Sequence, residues 1–186
     1  IEQFYDDLSA RVREFSNGPL VVSAMSELPK AFTSARSDNR ISQDQIARLR
    51  REVRSFYDQG FSELYKKRNE ERQPPIDELL SSWDDDSVFL QYLYVQRNPH
   101  PMQGNELFGR AEDNSAYSSC HEKYHPDIQQ LLQSQGLENI LLCDTDGKVV
   151  YSVRKTLDFA ASLTPPHQSN TCLGRAFRRA NSATSQ

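Results

Sequence analysis

The stretch LENILLCDTDGKVVYSV, residues 137–153, decides the fold class of this chain. Its first part, 137–144, is short and apolar, and its last part, 148–153, alternates as a strand with one covered face does. Between them Asp146 and Gly147 form the pair that tight hairpin turns favour, because glycine tolerates a positive φ. The stretch therefore predicts a β-hairpin that begins after Gly136.

Almost everything before this hairpin predicts helix, because apolar residues recur at intervals of three and four. Residues 4–15 carry one apolar stripe, and the breaker sequence 17–19, Asn-Gly-Pro, separates it from a second helix. Pro29 lies inside that second helix, where we expect a kink or a division. The change of period near residue 136 therefore predicts an α+β fold, with a long helical bundle followed by a small antiparallel sheet.

The longest helical pattern begins at Ser42, which has Gln45 in the position of a capping box. Apolar residues continue at three-and-four spacing, with mixed charges on the other face, until the Pro74-Pro75 pair. We expect one long helix over 42–72 that belongs to a bundle. Its charged face is expected to be exposed to solvent, and a basic stripe that binds nucleic acid is the less favoured alternative.

The region after this helix is less regular. Periodicity alone does not separate helix from strand over 88–95, and the acidic run 84–86 favours a helix start. The Asn-Pro-His-Pro stretch, 98–101, is expected to be irregular. A further helix is expected from about Asp113 to Leu132, with an interruption at Pro126.

Composition excludes several classes of protein. The 186 residues are 37% hydrophobic and 10% aromatic, which is enough for a core. The net charge of −4 and the pI near 5.6 argue against nucleic-acid binding. No apolar run approaches the ~18–20 residues that cross a bilayer. The three cysteines show no CxxC spacing, so we expect no metal–thiolate site and at most one disulfide.

The stretch 121–125, His-Glu-Lys-Tyr-His, fits the pattern H-E-x-x-H. On a helix the histidines lie one turn apart and can hold zinc, while Glu122 activates the bound water. Pro126 disfavours helical geometry at His125, and no third histidine ligand follows. A zinc-dependent hydrolase that uses His121, Glu122 and His125 is therefore one alternative. We expect instead that the chain has no catalytic or metal-binding residues.

Other residues suggest a binding site for a small polar molecule. Lys155 and Asp158 follow the second predicted strand, and Tyr151 lies within it. A cation and an anion at a strand end can together bind a zwitterion such as an amino acid. The alternative is that they form an ion pair at the surface. Tyr117 and Tyr124 share roughly one helix face with His121, where they serve either as core residues or as ligand contacts.

Motifs over about residues 90–180 resemble a known family. They are N-P-x-P at 98–101, Y-x-x-x-H-x-x-Y-H-P at 117–126, and a G-L-E-N-I-L-L-C-D hairpin pattern that ends in K-x-x-D-F at 155–159. The chain resembles the Cache-like (PAS-like) extracytoplasmic sensor domains that precede HAMP modules in methyl-accepting chemotaxis proteins, membrane-bound nucleotide cyclases and histidine kinases. It has Leu-Glu-Asn at 137–139 where the family has Tyr-Tyr-Asp, and Thr156 where the family has Glu.

The resemblance implies a helical stalk over 1–111 and a Cache-like sensor region over 112–186, with further strands beyond this piece. It implies transmembrane helices on both sides, a periplasmic location in an inner-membrane protein, and a homodimer formed through the helical region. It also implies that the domain binds a small molecule without a cofactor and is not itself an enzyme, although a fused cytoplasmic module can be one.

In that family the sheet and its preceding helix enclose the sensed molecule. The expected pocket therefore lies between the hairpin and the helix around 113–125, and its expected ligand contacts are Tyr117, His121, Tyr124, Tyr151, Lys155 and Asp158. His125 is expected to end the helix and not to touch the ligand. The remaining alternative is a structural helical dimerisation module.

Overall fold

The computed structural model describes residues 2–68, 76–100 and 104–183, except for the side chains of residues 2–8, 64, 68 and 183. Its helices are α1 (Glu2–Ser16), α2 (Pro19–Asp38), α3 (Gln43–Phe56), α4 (Ser62–Arg68), α5 (Ile76–Ser81), α6 (Asp85–Gln91), α7 (Ala116–Ser134), α8 (Pro166–Ser169) and α9 (Cys172–Ala183). Its strands are β1 (Leu141–Cys143) and β2 (Val149–Ser152). The chain is mostly helical with a small antiparallel sheet, so the α+β prediction is confirmed.

The long helix runs without a break from α3 through a π turn, Tyr57–Phe61, into α4. Its predicted last residues, 69–72, lie outside the described residues. Ser42 Oγ accepts a hydrogen bond from the Gln45 backbone N–H at 3.3 Å, and Gln45 Oε1 accepts one from the Ser42 N–H at 2.8 Å. The predicted capping box therefore starts this helix.

The segment 88–95, for which periodicity did not distinguish helix from strand, is helical. Asp84 caps α6 by accepting the backbone N–H of Ser87 at 2.8 Å, as the acidic run indicated. After α6 the helix widens into a second π turn, Tyr92–Gln96. This turn places Tyr94 in the interior, with no exposed surface.

The two prolines within predicted helices do not divide them. Pro29 lies inside an unbroken α2 and Pro126 inside an unbroken α7, so the expected interruption at Pro126 is wrong. Leu28 and Ile128 are fully buried beside these prolines, and packing of such residues outweighs one lost backbone hydrogen bond. His125 therefore lies within α7, and the prediction that it ends the helix is wrong as well.

The predicted hairpin is present. Strands β1 and β2 are antiparallel, and the pairing of Leu142 with Tyr151 and of Cys143 with Val149 leaves Val150 as the extra residue of a bulge. Gly147 lies in the turn at φ +85°, where an L side chain would be strained.

A third segment, 160–163, extends the sheet along the other edge of β2. The Val149 N–H donates to Ala161 O at 2.9 Å, and the Ala160 N–H donates to Val149 O at 3.0 Å. Every residue of β2 is buried as a result, in place of the alternation that the sequence suggested. The small residues of 160–163 carry no strand signal, so sequence patterns did not reveal this edge.

Helix α2 lies at the centre of the fold. It packs against α6, α7 and β2, so a single hydrophobic core joins the helical region to the sheet. The expected boundary at residues 111 and 112 stays a prediction. In the stretches that the structure describes, no helix combines the length and the apolar character that crossing a bilayer requires.

Candidate functional site

A buried group of polar and aromatic side chains lies between α7, the second π turn and the hairpin. We call it the Tyr–His cluster, and its members are Tyr94, Tyr117, His121, His125, Tyr151 and Lys155. Each of these residues is at most 2% exposed. Of the expected ligand contacts, Tyr117, His121, Tyr151 and Lys155 are brought together here.

The two histidines form the middle of the cluster. The helical spacing of four residues places them on one face of α7, and their rings stack with centroids 4.6 Å apart. The ring of Tyr94 lies 4.7 Å from that of His121, and the ring of Tyr151 lies 5.2 Å from it. The cluster is therefore a compact set of aromatic rings that carry hydrogen-bonding atoms.

The protonation of His125 follows from its partners. Its Nε2 lies 2.6 Å from the backbone oxygen of Glu106, and a carbonyl oxygen only accepts, so Nε2 carries the proton. Its Nδ1 then accepts a hydrogen bond from the Tyr151 hydroxyl at 2.7 Å. Burial lowers the pKa of His125 to about 4. His125 is therefore a neutral imidazole at pH 7.

His121 has one nitrogen engaged and one that is not. Its Nδ1 donates to the backbone oxygen of Gly109 at 2.6 Å. Its Nε2 is buried and has no hydrogen-bond partner in the part of the chain that the structure describes. Burial lowers the pKa of His121 well below its ordinary value, so Nε2 presents a lone pair to the protein interior.

Lys155 is the most unusual member of the cluster. Its backbone has φ +45°, a conformation that side-chain-bearing residues rarely adopt, and its N–H donates to Ser152 Oγ at 3.1 Å. Its Nζ donates to Val153 O at 3.0 Å and lies 3.4 Å from His125 Nε2. Burial lowers the pKa of Lys155 to about 7.

The segment 104–110, which we call the strap, covers the histidines. Its backbone oxygens at Glu106 and Gly109 accept from the two imidazoles. Arg110 on the strap forms an ion pair with Glu122 on the exposed side of α7. Glu106 Oε2 is buried and lacks a hydrogen-bond partner within the described ranges.

Tyrosine hydroxyls join the cluster to the rest of the fold. Tyr117 donates at 2.8 Å to the backbone oxygen of Val150, the extra residue of the bulge. The Tyr94 hydroxyl bonds to Ser118 Oγ at 2.9 Å. Burial raises the pKa values of Tyr94, Tyr117 and Tyr151, so all of them stay uncharged at neutral pH.

Two expected ligand contacts lie elsewhere. Tyr124 donates at 2.7 Å to Glu27 on α2, where Lys123 also binds, so it joins two helices. The side chain of Asp158 is exposed. The expected pair of Lys155 with Asp158 is not formed, because Lys155 turns inward after β2 and its Nζ contacts Val153 and His125.

The zinc reading of 121–125 finds little geometric support. Both nitrogens of His125 are engaged, and Glu122 pairs with Arg110 at the surface. Among the described residues no group of three or more His, Cys, Asp and Glu side chains is arranged to hold a metal ion.

Sequence reasoning missed the strap and Tyr94. Glu106 and Gly109 act through backbone oxygens, which leave no trace in residue type. Tyr94 was within the segment left open between helix and strand, so its direction was not assigned.

A separate cleft of about 670 Å³ lies between α3 and α5. Its lining residues include Arg50, Arg51 and Arg54. Arg50 pairs with Asp85, and Arg54 pairs with Asp77, so most of the positive charge in this cleft is already compensated. The Tyr–His cluster, in contrast, contains His121 Nε2, a buried atom without a hydrogen-bond partner among the described residues.

No protein-family model, no curated protein and no solved structure matches this chain.

Proposed function

We propose that this chain is the ligand-sensing input domain of a membrane-bound bacterial signal-transduction receptor, and that it binds a small polar molecule at the Tyr–His cluster. The observation that carries the proposal is the incomplete hydrogen bonding of this cluster. His121 Nε2 and Glu106 Oε2 are buried without hydrogen-bond partners in the described structure, and beside them the buried Lys155 amine bonds only to Val153 O and His125 Nε2 among the described residues. The resemblance of residues 90–180 to Cache-like sensor domains supports the same function.

The cost of burying these groups argues against a purely structural role. A buried polar group without a partner costs roughly 1–3 kcal/mol, and apolar residues of similar shape avoid that cost. Positions that keep unsatisfied polar groups, perturbed pKa values and a strained backbone are therefore candidates for function. Lys155 combines a perturbed pKa with a strained backbone.

The fold offers a connection from the cluster to the long helix. The ring of Phe159 lies 6.0 Å from that of Tyr94 and 6.3 Å from that of Tyr117. The backbone oxygen of Phe159 accepts from Gln91 Nε2, and Gln91 Oε1 accepts from the Tyr57 hydroxyl at 2.7 Å. Tyr57 begins the π turn of the long helix, so a ligand that prefers one packing of the cluster biases this helix through a population shift.

The remaining parts of the proposal follow the resemblance. The domain lies on the periplasmic side of the inner membrane, and helices outside this chain tether it. It dimerises through its helical region and passes the shift to a cytoplasmic output module. The domain itself performs no catalysis, although the output module can be an enzyme. A dimerisation module without a ligand would explain the helices but not the buried amine.

A thermal-shift screen against small polar molecules tests the proposal. A ligand at one hundred times its Kd stabilises the folded state by about 2.7 kcal/mol, which raises Tm by about 5–10 °C in a chain of this size. We expect Tyr151→Phe, which removes the hydroxyl that binds His125, to weaken this stabilisation.

The matched control is Arg51→Ala in the separate cleft, which we expect to respond as the wild type does. A ligand whose effect disappears in Arg51→Ala and persists in Tyr151→Phe would place the site in the cleft instead. A screen in which no compound stabilises the protein would favour the dimerisation module.

A further inference from the structure

We propose that Lys155 is the anion-binding group of the Tyr–His cluster, an uncharged amine that takes up one proton when a small monocarboxylate binds. This inference rests on the proposed function and names the ligand class and its pH dependence.

The geometry around His125 favours an uncharged Lys155 amine. His125 Nε2 carries its proton because its other neighbour, the oxygen of Glu106 at 2.6 Å, only accepts. The same Nε2 lies 3.4 Å from Lys155 Nζ. An ammonium group presents only hydrogens to its neighbours, whereas a neutral amine can turn its lone pair toward the protonated Nε2 edge of the ring, although the Nε2 proton itself is donated to Glu106 O. One N–H of the amine remains directed at Val153 O.

Most of the groups that face the amine are uncharged. Helix α7 contributes His121 and His125, which are both neutral, and β2 contributes Tyr151, which is protonated. The strap contributes Glu106, the carboxylate that attracts a proton to Lys155. Burial outweighs this attraction and lowers the pKa of Lys155 to about 7.

A carboxylate changes this balance. Once it lies beside Nζ, the ammonium form gains a charge-assisted hydrogen bond, so Lys155 takes a proton from the solvent as the anion binds. No covalent bond forms or breaks, and the added proton balances the charge of the anion. Neutral and cationic ligands gain nothing from this step.

Glu106 restricts the charge of the ligand. It already contributes a negative charge near Lys155, so a second carboxylate on the ligand meets repulsion in a buried environment. A monocarboxylate is therefore preferred over a dicarboxylate. Because Lys155 is 1% exposed, ligand entry requires a local opening, and we expect it at the strap, whose carbonyls bond to the two histidines.

Acetate is the probe for the test, with succinate as the dicarboxylate comparison. NMR titrations at constant ionic strength measure each Kd between pH 6.5 and 9. We expect the Kd of acetate to be nearly constant below pH 7 and to rise about tenfold per pH unit above it, because binding then requires proton uptake. Succinate is expected to bind at least tenfold more weakly.

Two lysine variants complete the experiment. Lys155→Met is expected to weaken acetate binding at pH 6.5 by more than tenfold, while Lys148→Met leaves it unchanged, because Lys148 binds Asp84 and Ser87 outside the cluster. A Kd independent of pH between 7.5 and 9 would overturn the proposal, and so would the absence of acetate binding at pH 6.5.

The failure of this inference differs from failure of the proposed function. If a neutral or cationic compound stabilises the protein, loses its effect in Tyr151→Phe and keeps it in Lys155→Met, the sensor function stands and the anion site is wrong. If acetate binds with the expected pH dependence, the amine is the anion site.

Discussion

Replacing Lys155 with methionine is expected to make the protein more stable, by about 2–5 kcal/mol at pH 7. The pKa of this lysine is about 7 in the folded chain, against an ordinary value of 10.5. Between pH 7 and pH 10.5 this lysine is therefore protonated in the unfolded chain and mostly unprotonated in the folded chain. The stability that the lysine contributes is complete above pH 10.5 and is lost as the pH falls to 7. Methionine fills similar volume, has no proton to take up, and forfeits the hydrogen bond to Val153, which is worth about 1 kcal/mol.

Urea denaturation at pH 7, 8 and 9 measures this difference. The free energy of unfolding of the wild type should rise by about 1.4 kcal/mol per pH unit from this group, and the rise should be missing in Lys155→Met. Lys148→Met is the control, since Lys148 is paired with Asp84 and should keep the wild-type dependence on pH. A loss of more than 1 kcal/mol in Lys155→Met at pH 7 would mean that the amine is charged and well satisfied.

The second large effect is expected at Gln91. It is fully buried, accepts from the Tyr57 hydroxyl and donates to the oxygen of Phe159. Gln91→Leu leaves both partners buried without hydrogen bonds, and each costs roughly 1–3 kcal/mol. We expect the free energy of unfolding to fall by about 2–4 kcal/mol.

A double-mutant cycle with Tyr57→Phe separates the two bonds. The double variant should be less destabilised than the sum of the single variants by about 1 kcal/mol, because removing both partners leaves no orphaned hydroxyl. Additive effects in chemical denaturation would show that Tyr57 and Gln91 are not coupled, and the connection between the sheet and the long helix would then lack its central contact.

Local signals were enough for much of the fold. The Asp146-Gly147 turn, the Ser42 capping box and the acidic start of α6 each depend on a few neighbouring residues, and all are present. The predicted interruption at Pro126 was wrong because the effect of a proline on a helix depends on the packing around it, and a local sequence pattern does not contain that information. Pro126 is tolerated where Ile128 is buried in the core.

The candidate site was partly predictable for the same reason. The helical spacing of Tyr117 and His121 and their nearness to the hairpin in sequence were enough to predict that they contact the hairpin, while their role in ligand binding stays a prediction. Lys155 and Asp158 were predicted as joint ligand contacts from their place after the second strand and from the family resemblance, but Lys155 has a positive φ and its side chain lies in the interior. The carbonyls of the strap that fix both imidazoles have no side-chain signature at all.

Amide hydrogen–deuterium exchange with and without a stabilising ligand tests the central claim most directly. If the Tyr–His cluster is the sensing site, the ligand should slow exchange in the strap, 104–110, and along 149–155, with a further change at the π turn, Tyr57–Phe61. Protection confined to the walls of the cleft between α3 and α5, with the strap and β2 unchanged, would contradict the account.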